Sequence, residues 1–156
     1  MKRFNHLVLA LIVSPEMVIG VAVLAFALLA PTPAANLGSL IRSDAEVWSY
    51  LPVLTFIFSG AAIRTSFKLR APLESSYNRM LYQWPGYQLL VDRVYVGLFY
   101  GISSAGASLF LWMVGKKLEP LVVASIFLAS TLMAGATALT MLLAQQKLRE
   151  LLEANI

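Results

Sequence analysis

Read for polarity alone, the chain is four long apolar stretches joined by polar connections. The stretches are Leu7–Ala30, Val47–Ile63, Val94–Gly115 and Pro120–Ala144, and across their 88 residues only Glu16 carries a charge. The other 68 residues hold the remaining 19 charged side chains. At about 1.5 Å of rise per residue the stretches measure roughly 36, 26, 33 and 38 Å as helices. A bilayer core of about 30 Å takes about 20 helical residues, with 17 as the short limit. Runs this continuous lack the two-residue alternation of a barrel strand, and in lipid only helices or closed barrels satisfy their own backbone. The pattern predicts an all-α polytopic membrane protein with four transmembrane helices, an inner loop over 64–93 and a tail over 145–156.

Composition agrees and adds an orientation. Of 156 residues, 59% are apolar and 13% charged, with a mean hydropathy of +0.75, against about 25% charged in an average soluble domain. With the N-terminus inside, the cytoplasmic pieces hold Lys2, Arg3, Arg64, Lys68, Arg70, Arg79, Arg93, Lys147 and Arg149, and the outer pieces hold Arg42, Lys116 and Lys117. This bias places both termini in the cytoplasm. The pI near 9.6 is then a topology signal, and no specific nucleic-acid binding is expected from so little loop. Lys2-Arg3, an apolar stretch and Ala25-Phe26-Ala27 imitate a secretory signal, but Glu16 inside that stretch argues that the segment is retained. The absence of cysteine removes disulfides, thiolate metal sites and thiol nucleophiles together.

The connections differ in kind. Lys116-Lys117-Leu118-Glu119 is a tight hairpin that makes the third and fourth spans antiparallel neighbours. Arg64–Arg93 is 30 residues long, uncommon without internal structure or function. Within it Pro72 allows a short helix to begin, Trp84-Pro85-Gly86 forces a bend, and Tyr87 onward runs into the third span. Arg70, Tyr77, Arg79, Tyr82, Trp84 and Tyr87 concentrate aromatics and cations here. They serve as an interfacial belt at headgroup level or as anchors for a docked protein. The tail continues the fourth helix, with Leu148, Leu151 and Leu152 on one face. It packs on the loop, on a second copy or on a partner.

Candidates for chemistry are few. An acid within a span is by default a functional residue, and Glu16 has two readings. It is a buried proton or ion carrier, or, in Ser14-Pro15-Glu16, the first-turn acid after a serine cap and a first-turn proline. Gly97, Gly101 and Ala105 in the third span, and Ser130, Ala134 and Gly135 in the fourth, fit small-xxx-small packing, within the chain first and between subunits second. Hydroxyls from Ser103 to Thr140 can bond to their own helix backbone. His6 is the one histidine, no cysteine or carboxylate cluster accompanies it, and no GxxxxGK[ST] loop occurs. Neither a metal nor another cofactor is therefore expected. Asp44, Glu46 and Glu119 fall outside while Glu74 and Asp92 fall inside, which assembles no catalytic set. The expectation is a non-enzyme.

Glu16 in the first of four spans resembles the small multidrug-resistance transporters, which would imply proton-coupled transport. Greater length, the 30-residue inner loop and later spans without that family's aromatic pattern depart from it. The whole-chain plan resembles small four-span membrane subunits of bacterial two-gene systems, such as the membrane partner of Kiwa-type anti-phage defence. That resemblance implies a multi-pass subunit of the bacterial inner membrane. The expected role is a homo-oligomer in the lipid bilayer that docks a cytoplasmic protein partner through the loop and the tail. A small proton- or ion-coupled transporter or pore centred on Glu16 is the alternative.

Overall fold

The computed structural model describes residues 8–70, 82 and 86–153, and their side chains except at 70 and 151–153. Five helices are defined: α1 (Pro15–Leu29), α2 (Pro31–Ser43), α3 (Ala45–Arg70), α4 (Tyr87–Val114) and α5 (Pro120–Glu153). A 3-10 turn over Gly115–Lys117 joins α4 to α5. Residues 8–12 form a further short helical stretch, and no strand occurs among the described residues. The all-helical class expected from the sequence is the one observed.

The first apolar stretch is interrupted where a single helix over 7–30 was expected. Ser14 is extended (φ −71°, ψ 149°), and its hydroxyl oxygen accepts a hydrogen bond from the Met17 N–H. Pro15 follows at the first helical position, where its missing N–H costs nothing. The first-turn reading of Glu16 therefore holds. With 15 residues, α1 rises about 22 Å. It ends at Ala30 (φ −131°, ψ 61°) because the residue before a proline is pushed out of the helical region.

After Pro31 the chain turns through 104° into α2, so the stretch expected as an outer connection is largely helical. Its buried positions Ala34, Gly38 and Ile41 form one stripe. A side chain at Gly38 would overlap the Pro120 carbonyl, so α2 lies directly on the start of α5. Asp44 then caps α3, accepting hydrogen bonds from the N–H groups of Glu46 and Val47 at 2.9 and 3.0 Å.

Three helices, α3, α4 and α5, are long and apolar enough to cross a membrane, and the bent α1–α2 pair makes a fourth if counted as one span. α5 is central and packs against α1, α2, α3 and α4. On α4 the buried residues include Val94, Gly97, Gly101, Ser104, Ser108 and Leu111, continued by Gly115 in the turn, with Asp92, Val96 and Tyr100 buried beside them. On α3 they include Trp48, Leu51, Thr55, Ser59, Ala62, Ser66 and Leu69. The steps are of three and four along both helices, alternating on α4 and with two successive fours on α3, as in the seam of left-handed bundles.

The interior is graded along this seam. Ile41, Trp48, Leu51, Leu111 and Val123 close the hairpin end, and Leu69, Val94, Met141 and Leu148 close the opposite, loop end. Between them lie glycines, alanines and hydroxyls. Large apolar side chains face outward instead, among them Leu28, Leu29, Ile102, Phe110, Leu139 and Leu143. A monomer in water rarely exposes so much contiguous apolar surface. Small residues inside and bulky ones outside are the arrangement of helices packed in lipid.

Candidate functional site: a buried ion pair and the loop end of the bundle

The first turn of α1 points Glu16 inward between α4 and α5, where its relative exposure is 0%. Arg93, in the second turn of α4, meets it as a fork. Its Nη1 donates to Oε2 at 2.9 Å and its Nη2 to Oε1 at 2.6 Å. The guanidinium also donates from Nη2 to Thr140 Oγ1 at 2.6 Å. Thr137 Oγ1 lies 3.1 Å from Glu16 Oε1 and 2.8 Å from its own helix's Met133 carbonyl, so its single proton is shared between two acceptors. Thr140 in turn donates to the Thr137 carbonyl at 3.1 Å.

Two features make this burial tolerable. A planar guanidinium matches a carboxylate bidentately, and the free N–H groups at the start of α1 favour negative charge beside them. The side-chain exposure of Arg93 is 27%, so the pair is closed on the Glu16 side and partly open on the other. From Pro120 to Thr137 α5 rises about 25 Å, and from Val94 to Val114 α4 rises about 30 Å. The pair therefore sits at the loop end of the apolar layer. Nearby, the Tyr100 hydroxyl donates to the Leu11 carbonyl at 3.0 Å and ties the lead-in to α1 onto α4.

The sequence reading assigned Arg93 to the loop and found no partner for Glu16. The run from Tyr87 into the third span is as expected, α4 beginning at Tyr87; what was missed is that this extension carries Arg93 on its inner side. Once the helix is extended, Arg93 lies four residues before Gly97 and eight before Gly101, on the side of the buried stripe. That phase was the signal available.

The small-residue positions are largely enclosed within the chain. A side chain at Gly97 would overlap the Met141 methyl, and the Gly101 carbonyl accepts from Ser59 Oγ at 2.9 Å. Ser130 and Ala134 are buried, and Gly135 faces the Phe58 ring. Ala105 is only half-buried, and Ser104 takes its place in the seam. The Ser108 hydroxyl is buried with no hydrogen-bond partner among the described residues.

At the loop end, Tyr82 is exposed and stacks edge-to-face on Tyr87, ring centroids 5.3 Å apart. Tyr87 packs on the cluster of Leu69, Val94, Met141 and Leu148. Leu148, expected on a docking face, is thus buried inside the bundle. Tyr77, Arg79 and Trp84 lie outside the described residues, as do the side chains of Arg70, Leu151 and Leu152. At the hairpin end Arg42 donates to the Leu118 and Lys116 carbonyls at 2.8 and 2.9 Å, and the Lys116 ammonium stands 5.8 Å from the centre of the Trp48 ring. Among the described residues no three histidines or acids gather as a metal site would require.

The helices are those of a multi-pass membrane protein: three to four of membrane-crossing length and character, enclosing one buried ion pair. Comparison with protein-family models, curated proteins and solved structures found no match.

Proposed function

We propose that the chain is a non-enzymatic inner-membrane subunit with both termini cytoplasmic, which assembles with copies of itself and anchors a cytoplasmic protein partner. The carrying observation is the reach of α5. With 34 residues it rises about 51 Å, some 20 Å more than the bilayer core. Leu148 braces that extension against α3 and α4. A braced stalk beside a basic, aromatic loop suits a platform on which a partner docks and acts. The setting, a bacterial two-gene system such as anti-phage defence, rests on resemblance of plan alone.

The platform is tested by deleting residues 73–88 from the tagged full chain. Membrane insertion and self-assembly survive, and capture of the partner, identified by mass, is lost. Unchanged capture refutes docking through the loop. Single cysteines at Ser39, Ser76, Lys117 and Asn155 test the topology: an impermeant maleimide labels the first and third in intact cells, and labelling at Ser76 overturns it.

The second reading, a transporter centred on Glu16, draws on the contact of the ion pair with the Thr137 and Thr140 hydroxyls. Against it stands the fork itself, because loading a proton or ion onto Glu16 gives up two charge-assisted hydrogen bonds from Arg93. Proteoliposome flux decides between them. A flux abolished by Glu16→Gln establishes the transporter, and no flux in the wild type removes it.

A further inference from the structure

A groove of about 550 Å³ opens between α3 and α5 on the lipid-facing side of the loop end. Gly60, Ala61 and Leu142 line its apolar part, and Arg64, Thr65, Lys68 and Gln145 its polar part. The polarity is ordered along the helix axis. Measured from Trp48, which lies beside Lys116 at the hairpin end, Arg64 stands about 24 Å along α3 and Lys68 about 30 Å. The apolar lining therefore falls within the hydrocarbon, and the cations fall at the headgroup level of the adjoining leaflet.

Neither cation is engaged by another described residue. Arg64 and Lys68 are exposed, four residues apart on one helix face, and form no ion pair or hydrogen bond with another described residue. Thr65, between them, is buried and spends its proton on the Ala61 carbonyl at 2.7 Å. The space is genuine at its floor, since a side chain built at Gly60 would meet nothing within 4 Å. Two unneutralised charges above a greasy trough match a ligand with an anionic head and an alkyl tail.

We infer that this groove binds an anionic phospholipid of the adjoining leaflet, its phosphate between Arg64 and Lys68 beside Gln145 and one acyl chain along Gly60, Ala61 and Leu142. A soluble phosphate would leave the trough empty, and an acidic protein segment would have to place polar backbone in it. Cations near a membrane surface gain about 1 kcal/mol each from anionic lipid, and that gain alone requires no groove. The shape of the trough separates a site from general attraction.

The experiment is native mass spectrometry of the purified full chain, exchanged into detergent with phosphatidylglycerol, phosphatidylcholine or inorganic phosphate alone. The wild type retains one phosphatidylglycerol through collisional activation that strips phosphatidylcholine. Arg64→Gln and Lys68→Gln each weaken retention about fivefold, the equivalent of about 1 kcal/mol. Gly60→Leu fills the trough, keeps both charges and strengthens local helix propensity, yet abolishes retention of the lipid. Equal retention of both lipids, phosphatidylglycerol retention unchanged in Gly60→Leu, or an acidic protein segment held there in place of lipid overturns the site. Retention of inorganic phosphate at the affinity of the lipid also overturns it, because the tail then contributes nothing.

Discussion

Replacing Arg93 with glutamine leaves Glu16 as a carboxylate with no exposure and no cation beside it. Removing one member of a buried ion pair costs about 3–5 kcal/mol because the other is left uncompensated, and a lone charge at mid-span costs about 2.5–3.5 kcal/mol. The two single substitutions are unequal here. Glu16 is fully enclosed, with Thr137 its only other side-chain donor among the described residues. Arg93 is 27% exposed at the loop end, and its long stem can carry a freed guanidinium to the headgroups. We expect Arg93→Gln to cost about 3 kcal/mol and Glu16→Gln about 1–2 kcal/mol, nearer a lost charge-assisted hydrogen bond. For a chain of this size 1 kcal/mol moves the melting temperature by about 2–4 °C, so the two variants separate in a thermal melt. Tryptophan fluorescence and circular dichroism in one detergent give the readout. The double substitution falls short of the sum by about 2 kcal/mol, because neither charge is then stranded. Glu16→Gln proving as damaging as Arg93→Gln, or strict additivity, refutes this account of the pair.

Further outcomes follow from other contacts in the bundle. Gly38→Ala pushes a methyl into the Pro120 carbonyl, which as backbone cannot step aside, and should lower stability by about 1–3 kcal/mol. Gly97→Ala meets the flexible end of Met141 and, at 3.4 Å, the Thr137 methyl; methionine repacks readily and alanine favours the helix, so its melt should shift less than that of Gly38→Ala. Ser108→Ala removes a buried hydroxyl with no partner among the described residues and should be neutral or stabilising by about 1 kcal/mol, whereas Ser59→Ala removes a second hydrogen bond from the Gly101 carbonyl, which keeps its helical partner, and should cost about 0.5–1 kcal/mol. Arg42→Gln loses two bonds to the turn carbonyls at 116 and 118 and should cost about 1–3 kcal/mol, read as faster proteolysis of the hairpin.

The long apolar runs made α3, α4 and α5 legible in the sequence, because a helix in lipid needs little beyond length and the absence of charge. Their ends are legible only in part: the leucines of the tail continue the fourth helix and Tyr87 leads into the third, but hydropathy alone sets the ends short. α3 continues seven residues past Ile63 and α4 starts seven before Val94, since polar residues beyond the hydrocarbon remain good helix formers and hydropathy is blind to them. Beyond the elbow at Ala30-Pro31 the chain has too few bulky apolar residues for hydropathy to show a helix, although Pro31 and Pro33 both sit in the first turn of α2, where proline is harmless. Glu16 was visible as the one intramembrane acid, but its partner lay past an apparent span boundary. The third-span stripe was read at a spacing of four, which selects Ala105. The seam alternates three and four and selects Ser104 and Ser108.

That seam implies a division of labour. Lipid tails are as apolar as leucine, so burying leucine does not by itself choose a helix pair or a register. The buried polar contacts can, and they are distributed. Glu16 and Arg93 join α1 to α4, Ser59 and the Gly101 carbonyl join α3 to α4, and Arg42 fastens α2 to the hairpin. The Thr55 and Thr131 hydroxyls, 3.3 Å apart, join α3 to α5. If this last contact sets register by mutual satisfaction, Thr55→Val and Thr131→Val each cost about 0.6–1.7 kcal/mol, the range for single hydrogen bonds between membrane helices. The double valine, similar in shape and leaving no orphan, costs no more than either alone. A thermal-melt cycle in one detergent measures the coupling. A double variant as unstable as the sum of the singles means the hydroxyls act only by volume, and register must then come from the fit of the small residues around them.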